Sequence, residues 1–162
     1  MFALLATTLL LTTSAIAQMP ATLLDNTTVT GTPEQWKAAR LALLAALECR
    51  KEINPKDPTL RPLLMEKKKL TLIPPKDFTV FGLPVQSILV DITNQSVPDE
   101  DGMRASLVAA HVAATWEMAE KAIKPYVKKA KGGLFVGQAD KPSLVATVCA
   151  FGDSIDDDYV EP

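Results

Sequence analysis

Between Pro33 and Ile53 apolar and polar positions recur at a helical period. At 100° per residue Trp36, Ala39, Leu43, Ala46, Leu47, Cys49 and Ile53 fall in one arc. Glu34, Lys37, Arg40, Glu48, Lys51 and Glu52 fall in the other, with Leu41 and Leu44 as exceptions on that polar side. Thr32 stands where a cap hydroxyl can accept from the amide of Gln35, and Gln35 can reach back to the cap. Pro33 suits the first helical position, where a missing N–H costs nothing. The pattern predicts a helix from about Pro33 to Ile53, stopped by Asn54-Pro55.

The period then disappears. Residues 54–77 hold Pro55, Pro58, Pro62, Pro74 and Pro75 and allow only a short helical turn around Leu60 to Lys69. From Asp77 onward β-branched and aromatic residues dominate "DFTVFGLPVQSILVDIT", which predicts strands at about 78–82 and 85–93 around Gly82 and Pro84. The nearly unbroken apolar run Ile88 to Ile92 predicts a strand covered on both faces. Residues 94–102 (NQSVPDEDG) read as a loop. Residues 103–131 allow one long helix, or a strand from about Met103 to Val112 and a helix from Thr115. The flanking loop and strand favour the split, and Thr115 before "WEMAEK" is a second cap. "GLFVGQ" and "SLVATVCAF" read as a hairpin, with Val145, Thr147, Cys149 and Phe151 on one strand face. The sum is an α+β fold: a small, mainly antiparallel sheet packed against one or two helices, with one long-range disulfide.

That disulfide follows from the ends of the chain. Residues 1–17 are uncharged, with an apolar run and Ala15-Ile16-Ala17 at the close, the pattern of a signal peptide cleaved before Gln18. The expected location is therefore periplasmic or secreted, with no stable membrane anchor after cleavage. The two cysteines, Cys49 and Cys149, meet an oxidising compartment, where such a pair is bridged. Closing a loop of about 100 residues contributes up to roughly 4.7 kcal/mol through the unfolded state. Residues 18–31 read as a flexible N-terminal arm, 32–152 as a single α+β domain, and 153–162 as an acidic C-terminal tail.

Charge changes the picture next. The net charge of −2 hides alternating blocks. Residues 58–76 set Arg61, Lys67, Lys68, Lys69 and Lys76 against Glu66, whereas 77–103 carry Asp77, Asp91, Asp99, Glu100 and Asp101 and no base. Residues 104–141 are again basic and 142–162 again acidic. Blocks of this kind neutralise one another across a fold or steer a partner of opposite charge. Nothing in them indicates nucleic acid.

Candidate chemistry is sparse. His111 is the only histidine, set among small apolar residues, and no G-x-S-x-G turn accompanies it. No C-x-x-C, calcium-loop or glycine-rich phosphate pattern occurs, so neither a metal nor a cofactor is expected. The clustered acids Asp99, Glu100, Asp101 and Asp156, Asp157, Asp158 fall on a loop and a tail, not across a rigid cleft. The expectation is a non-enzymatic, exported binding module of inhibitor, immunity or accessory type, with these six acids as its contacts to a protein partner. The alternative is a periplasmic carrier of a small ligand or lipid, with a pocket lined by Trp36, Leu43, Phe81 and Phe151. A hydrolase using His111 ranks third.

Overall fold

The structure is a computed structural model and describes residues 27–96, 98–99, 103–139 and 141–152. Its elements in chain order are β1 (Thr27–Val29), α1 (Pro33–Leu47), α2 (Arg61–Leu64), β2 (Lys69–Leu72), β3 (Thr79–Val80), β4 (Leu83–Asp91), β5 (Ala105–Val112), α3 (Trp116–Val127), β6 (Gly133–Gln138) and β7 (Val145–Gly152). The strands form a seven-stranded sheet in the order β1-β2-β4-β5-β7-β6, with β3 folded against β4. Among the described residues only β1 and β2 run parallel; every other pairing is antiparallel. The architecture is α+β with a mostly antiparallel sheet, larger than the small sheet expected.

Side-chain alternation gives the sheet two unlike faces. The register aligns Leu70, Val90, Val108, Cys149 and Leu134 in one row. That row lies under the helices: Ala39, Leu43 and Leu47 of α1 are sealed against Leu70, Val90 and Val108, and Ile123 of α3 packs with Leu134 and Cys149. The opposite row is Thr71, Leu89, Ala109, Val148 and Phe135, and no described helix packs over it. Leu89 is accordingly half-buried, so β4 is not covered alike on both faces.

Both helix starts form as their caps predict. The Thr32 N–H donates to Gln35 Oε1 at 2.8 Å while the Gln35 N–H donates to Thr32 Oγ1 at 3.3 Å. At α3 the Met118 N–H donates to Thr115 Oγ1 at 3.2 Å, which confirms the split between strand and helix. The hairpin of β6 and β7 also forms as read, and Val145, Thr147, Cys149 and Phe151 share the helix side.

Other readings change as well: the strands expected at 78–82 and 85–93 are Thr79–Val80 and Leu83–Asp91. Helix α1 ends at Leu47, not near Ile53: Glu48 caps it and Cys49 turns left-handed at φ 56°. The turn expected over Leu60–Lys69 shortens to Arg61–Leu64, because Met65 and Glu66 both take positive φ and end it. Lys69 then begins β2, whose Leu70 and Leu72 enter the core while Lys69 and Thr71 face the other way. Thr27–Val29, assigned to the arm, form β1 and bury Val29. The signal peptide (1–17), the rest of the arm (18–26) and the acidic tail (153–162) lie outside the described residues.

Candidate functional site

The described roots of the two acidic segments meet at one end of the sheet, and the ladder explains why. β5 runs antiparallel to both β4 and β7, so the start of β5 lies beside the end of β7, with Ala105 opposite Gly152. The loop that carries Asp99 enters this end through Ala105. The acidic tail leaves it through Gly152. Both connections are tight: a β-carbon on Gly152 would stand 3.1 Å from the Arg104 carbonyl oxygen.

The disulfide anchors the same end. After α1 the Cys49 N–H donates to the Ala46 carbonyl at 3.0 Å and the Arg50 N–H to the Ala45 carbonyl at 2.9 Å. This pair of bonds is a Schellman close, normally made with glycine at the left-handed position. Here that position is Cys49, bonded to Cys149 of β7 with a Cα–Cα distance of 5.3 Å. The Cys49 carbonyl accepts from the Lys131 N–H at 2.7 Å, which ties in the approach to β6.

A polar network closes the rim. The Ser106 hydroxyl donates to Glu52 Oε1 at 2.7 Å, and Gln95 Nε2 donates to the same oxygen at 3.0 Å and to the Ile53 carbonyl at 2.6 Å. Segment 50–53, the β4–β5 loop and β5 are thereby held together. Among them lies a cavity of about 300 Å³ lined by Glu52, Gln95, Arg104, Ala105, Phe151 and Gly152. Within the loop the Met103 N–H donates to Asp99 Oδ1 at 2.8 Å, and the Asp99 N–H donates to the Met103 carbonyl at 2.9 Å. Asp99 therefore has a turn-forming role as well as a charge. Glu100, Asp101, Asp156, Asp157 and Asp158 lie outside the described residues.

Described ion pairs show how the charge blocks meet. Lys69 pairs with Asp91 at 3.1 Å, joining basic segment 58–76 to acidic segment 77–103, and Arg40 of α1 pairs with Asp77 at 3.8 Å. Arg50–Glu48 and Arg61–Glu66 are local. Burial pushes the Asp91 carboxyl up, but hydrogen bonds from Thr93 and the Lys69 ammonium outweigh it and hold it below the usual carboxylate value. The Thr59 hydroxyl and N–H likewise lower Asp57.

His111 lies elsewhere, on the helix-free face. Its Nδ1 is 3.0 Å from Ser87 Oγ, directly opposite it across β4 and β5. A groove of about 400 Å³ there is lined by residues that include Ser87, His111, Lys141 and Ser143. Sequence reasoning missed Ser87, because a serine within a strand pattern carries no signal of its partner. The four residues expected around a ligand pocket are not gathered in one. Trp36 packs edge-on against Phe78 and Phe81 against Tyr126, Leu43 is sealed in the core, and Phe151 borders the sheet-end cavity. No group of three or more His, Cys, Asp or Glu able to hold a metal occurs among the described residues.

Compared with protein-family models, with curated proteins and with solved structures, the chain matches none.

Proposed function

We propose that this is an exported, non-catalytic binding module that takes a protein partner at the disulfide-anchored end of its sheet. The observation that supports the reading is the pairing of Ala105 with Gly152. It sets the roots of two acidic segments side by side on a rigid base. A partner with a basic surface would be steered to that end and held by charges from both segments. The Cys49–Cys149 bridge fits a chain that folds in an oxidising compartment. No described helix is long and apolar enough to cross a membrane.

The test is capture from a periplasmic or secreted extract on the immobilised protein, at low and then high salt. The reading expects a discrete protein retained at low salt and released as salt rises. Retention unaffected by salt would exclude charge as the basis of recognition.

The Ser87–His111 contact favours a second reading, a hydrolase using His111. Directly opposed strand positions are, however, the ordinary setting for a cross-strand hydrogen bond, and Ser87 stands on no strand-to-helix turn. The second reading requires hydrolysis of activated esters that disappears in both Ser87→Ala and His111→Ala.

A further inference from the structure

At the far edge of the sheet α3 and β6 leave a groove of about 660 Å³. β6 pairs only with β7 among the described residues, so its outer edge presents unpaired backbone N–H and C=O groups. The groove takes apolar surface from Ile123, Val127, Phe135 and Val136. Val127 and Phe135 are 45% and 48% exposed, large apolar side chains left open. Residues three and four apart on α3 share a side, and here that side runs from Glu117 and Glu120 to Lys121, Lys124 and Lys128. Glu120 accepts from the Trp116 indole N–H, whereas the three lysines make no ion pair among the described residues. The groove is thus an open strand edge beside an apolar wall, basic at the C-terminal end of α3.

We propose that the chain's own C-terminal segment, residues 153–162, folds back into this groove and runs along the outer edge of β6. Three observations converge on that occupant. The first is charge: the segment DSIDDDYVEP carries Asp153, Asp156, Asp157, Asp158 and Glu161 and no base, and adds apolar Ile155, Tyr159 and Val160. The second is the exit point. Phe151 packs with Tyr126 and Ala130 near the end of α3, and a β-carbon on Gly132 would stand 3.1 Å from the Phe151 ring. The chain therefore leaves β7 beside the lysine-bearing end of the groove.

The third is reach. Passing the end of β6 to its outer edge covers about 10 Å, two strand spacings, or about three residues of extended chain. Residues 156–162 then extend to about 23 Å at about 3.3 Å per residue, enough to follow a strand the length of β6. In that arrangement Asp156–Asp158 stand nearest Lys128 and Lys124, and Tyr159 and Val160 lie over the apolar wall. A basic partner would compete with the groove lysines for the same acids. The fold-back itself does not depend on such a partner.

The test is amide hydrogen exchange on the isolated full chain, followed at residues 133–138. One variant is Lys124→Glu/Lys128→Glu; a second is Asp156→Lys/Asp157→Lys/Asp158→Lys; a third combines both sets and so restores opposite charges. In the wild type the outward-facing amides of β6 exchange at least tenfold slower than in either single-sided variant. The combined variant returns to within about threefold of the wild type. Exchange in α1 stays constant throughout and reports that the fold is intact. Equal β6 exchange in all four proteins overturns the proposal, as does a combined variant that fails to recover. Protection that grows with protein concentration also overturns it, since that places the tail on a second copy.

Discussion

Cys49 holds a left-handed backbone at φ 56° and is bonded through its sulfur to Cys149 on the last strand. One residue thus ends a helix and crosslinks it, which separates two energetic effects. Replacing both cysteines with alanine removes the crosslink and is expected to cost roughly 2–5 kcal/mol. Cys49→Gly/Cys149→Ala removes the same crosslink but relieves the β-carbon from a left-handed position. It should be more stable than the double-alanine variant by about 1 kcal/mol. Urea unfolding of the two variants gives the difference directly, and the opposite order would contradict the backbone argument.

Thr147 is fully buried on the helix side of β7, and its hydroxyl has no hydrogen-bond partner among the described residues. A desolvated, unpaired hydroxyl opposes folding. Thr147→Val keeps the shape and removes that group, so a gain of about 1 kcal/mol is expected in the same unfolding assay. A loss would mean that the hydroxyl is satisfied in solution.

Two glycines should respond differently. At Gly132 a β-carbon would lie 2.5 Å from the Ala150 carbonyl oxygen, a backbone atom that cannot turn aside. Gly132→Ala should cost about 1–3 kcal/mol by overpacking and disturb the β6–β7 ladder. Gly82 has φ 76° and a β-carbon there would meet nothing within 4 Å, so Gly82→Ala meets only the left-handed penalty of about 1–2 kcal/mol. Strand-resolved hydrogen exchange distinguishes them, with faster exchange at β6 and β7 only for the Gly132 variant.

Asp91 gives a pH dependence whose sign follows from its lowered pKa. The folded value lies below the unfolded one, near 3.9. The Thr93 hydrogen bonds and the Lys69 pair that lower it therefore stabilise fully above the unfolded value and are lost as pH falls through the folded one. The pair is partly exposed, so solvent screening keeps the effect to about 0.5 kcal/mol. Asp91→Asn should lower stability at pH 7 by that amount and flatten the profile below pH about 4. An unchanged acid limb would show that Thr93 and Lys69 do not hold the Asp91 carboxyl low in solution.

The elements most legible in the sequence are those whose period and cap agree. Thr32 with Gln35, Thr115 before Trp116, and the alternation through Val145, Thr147, Cys149 and Phe151 each appear as read. β2 was hidden because Lys67, Lys68 and Lys69 look like a solvated run, although Leu70 and Leu72 alternate into the core behind them. The end of α1 was hidden because Cys49 occupies a left-handed position that sequence rules reserve for glycine. The cysteine pair was legible from its count and the compartment expected for it. The meeting of the two acidic roots was not, since it depends on the order β4-β5-β7, which no local pattern encodes.

The proposed function rests on both acidic segments at the Ala105–Gly152 end holding one partner together. The decisive quantity is the affinity of the captured partner for wild type and for a variant with Asp99→Asn, Glu100→Gln, Asp101→Asn, Asp156→Asn, Asp157→Asn and Asp158→Asn. Asp99→Asn keeps an oxygen that can accept from the Met103 N–H, so the loop turn is preserved. At least a tenfold loss of affinity at low salt, with an unchanged circular dichroism spectrum, is the expected result. Equal affinity for the two proteins would remove the acidic segments from the binding site and the proposed function with them.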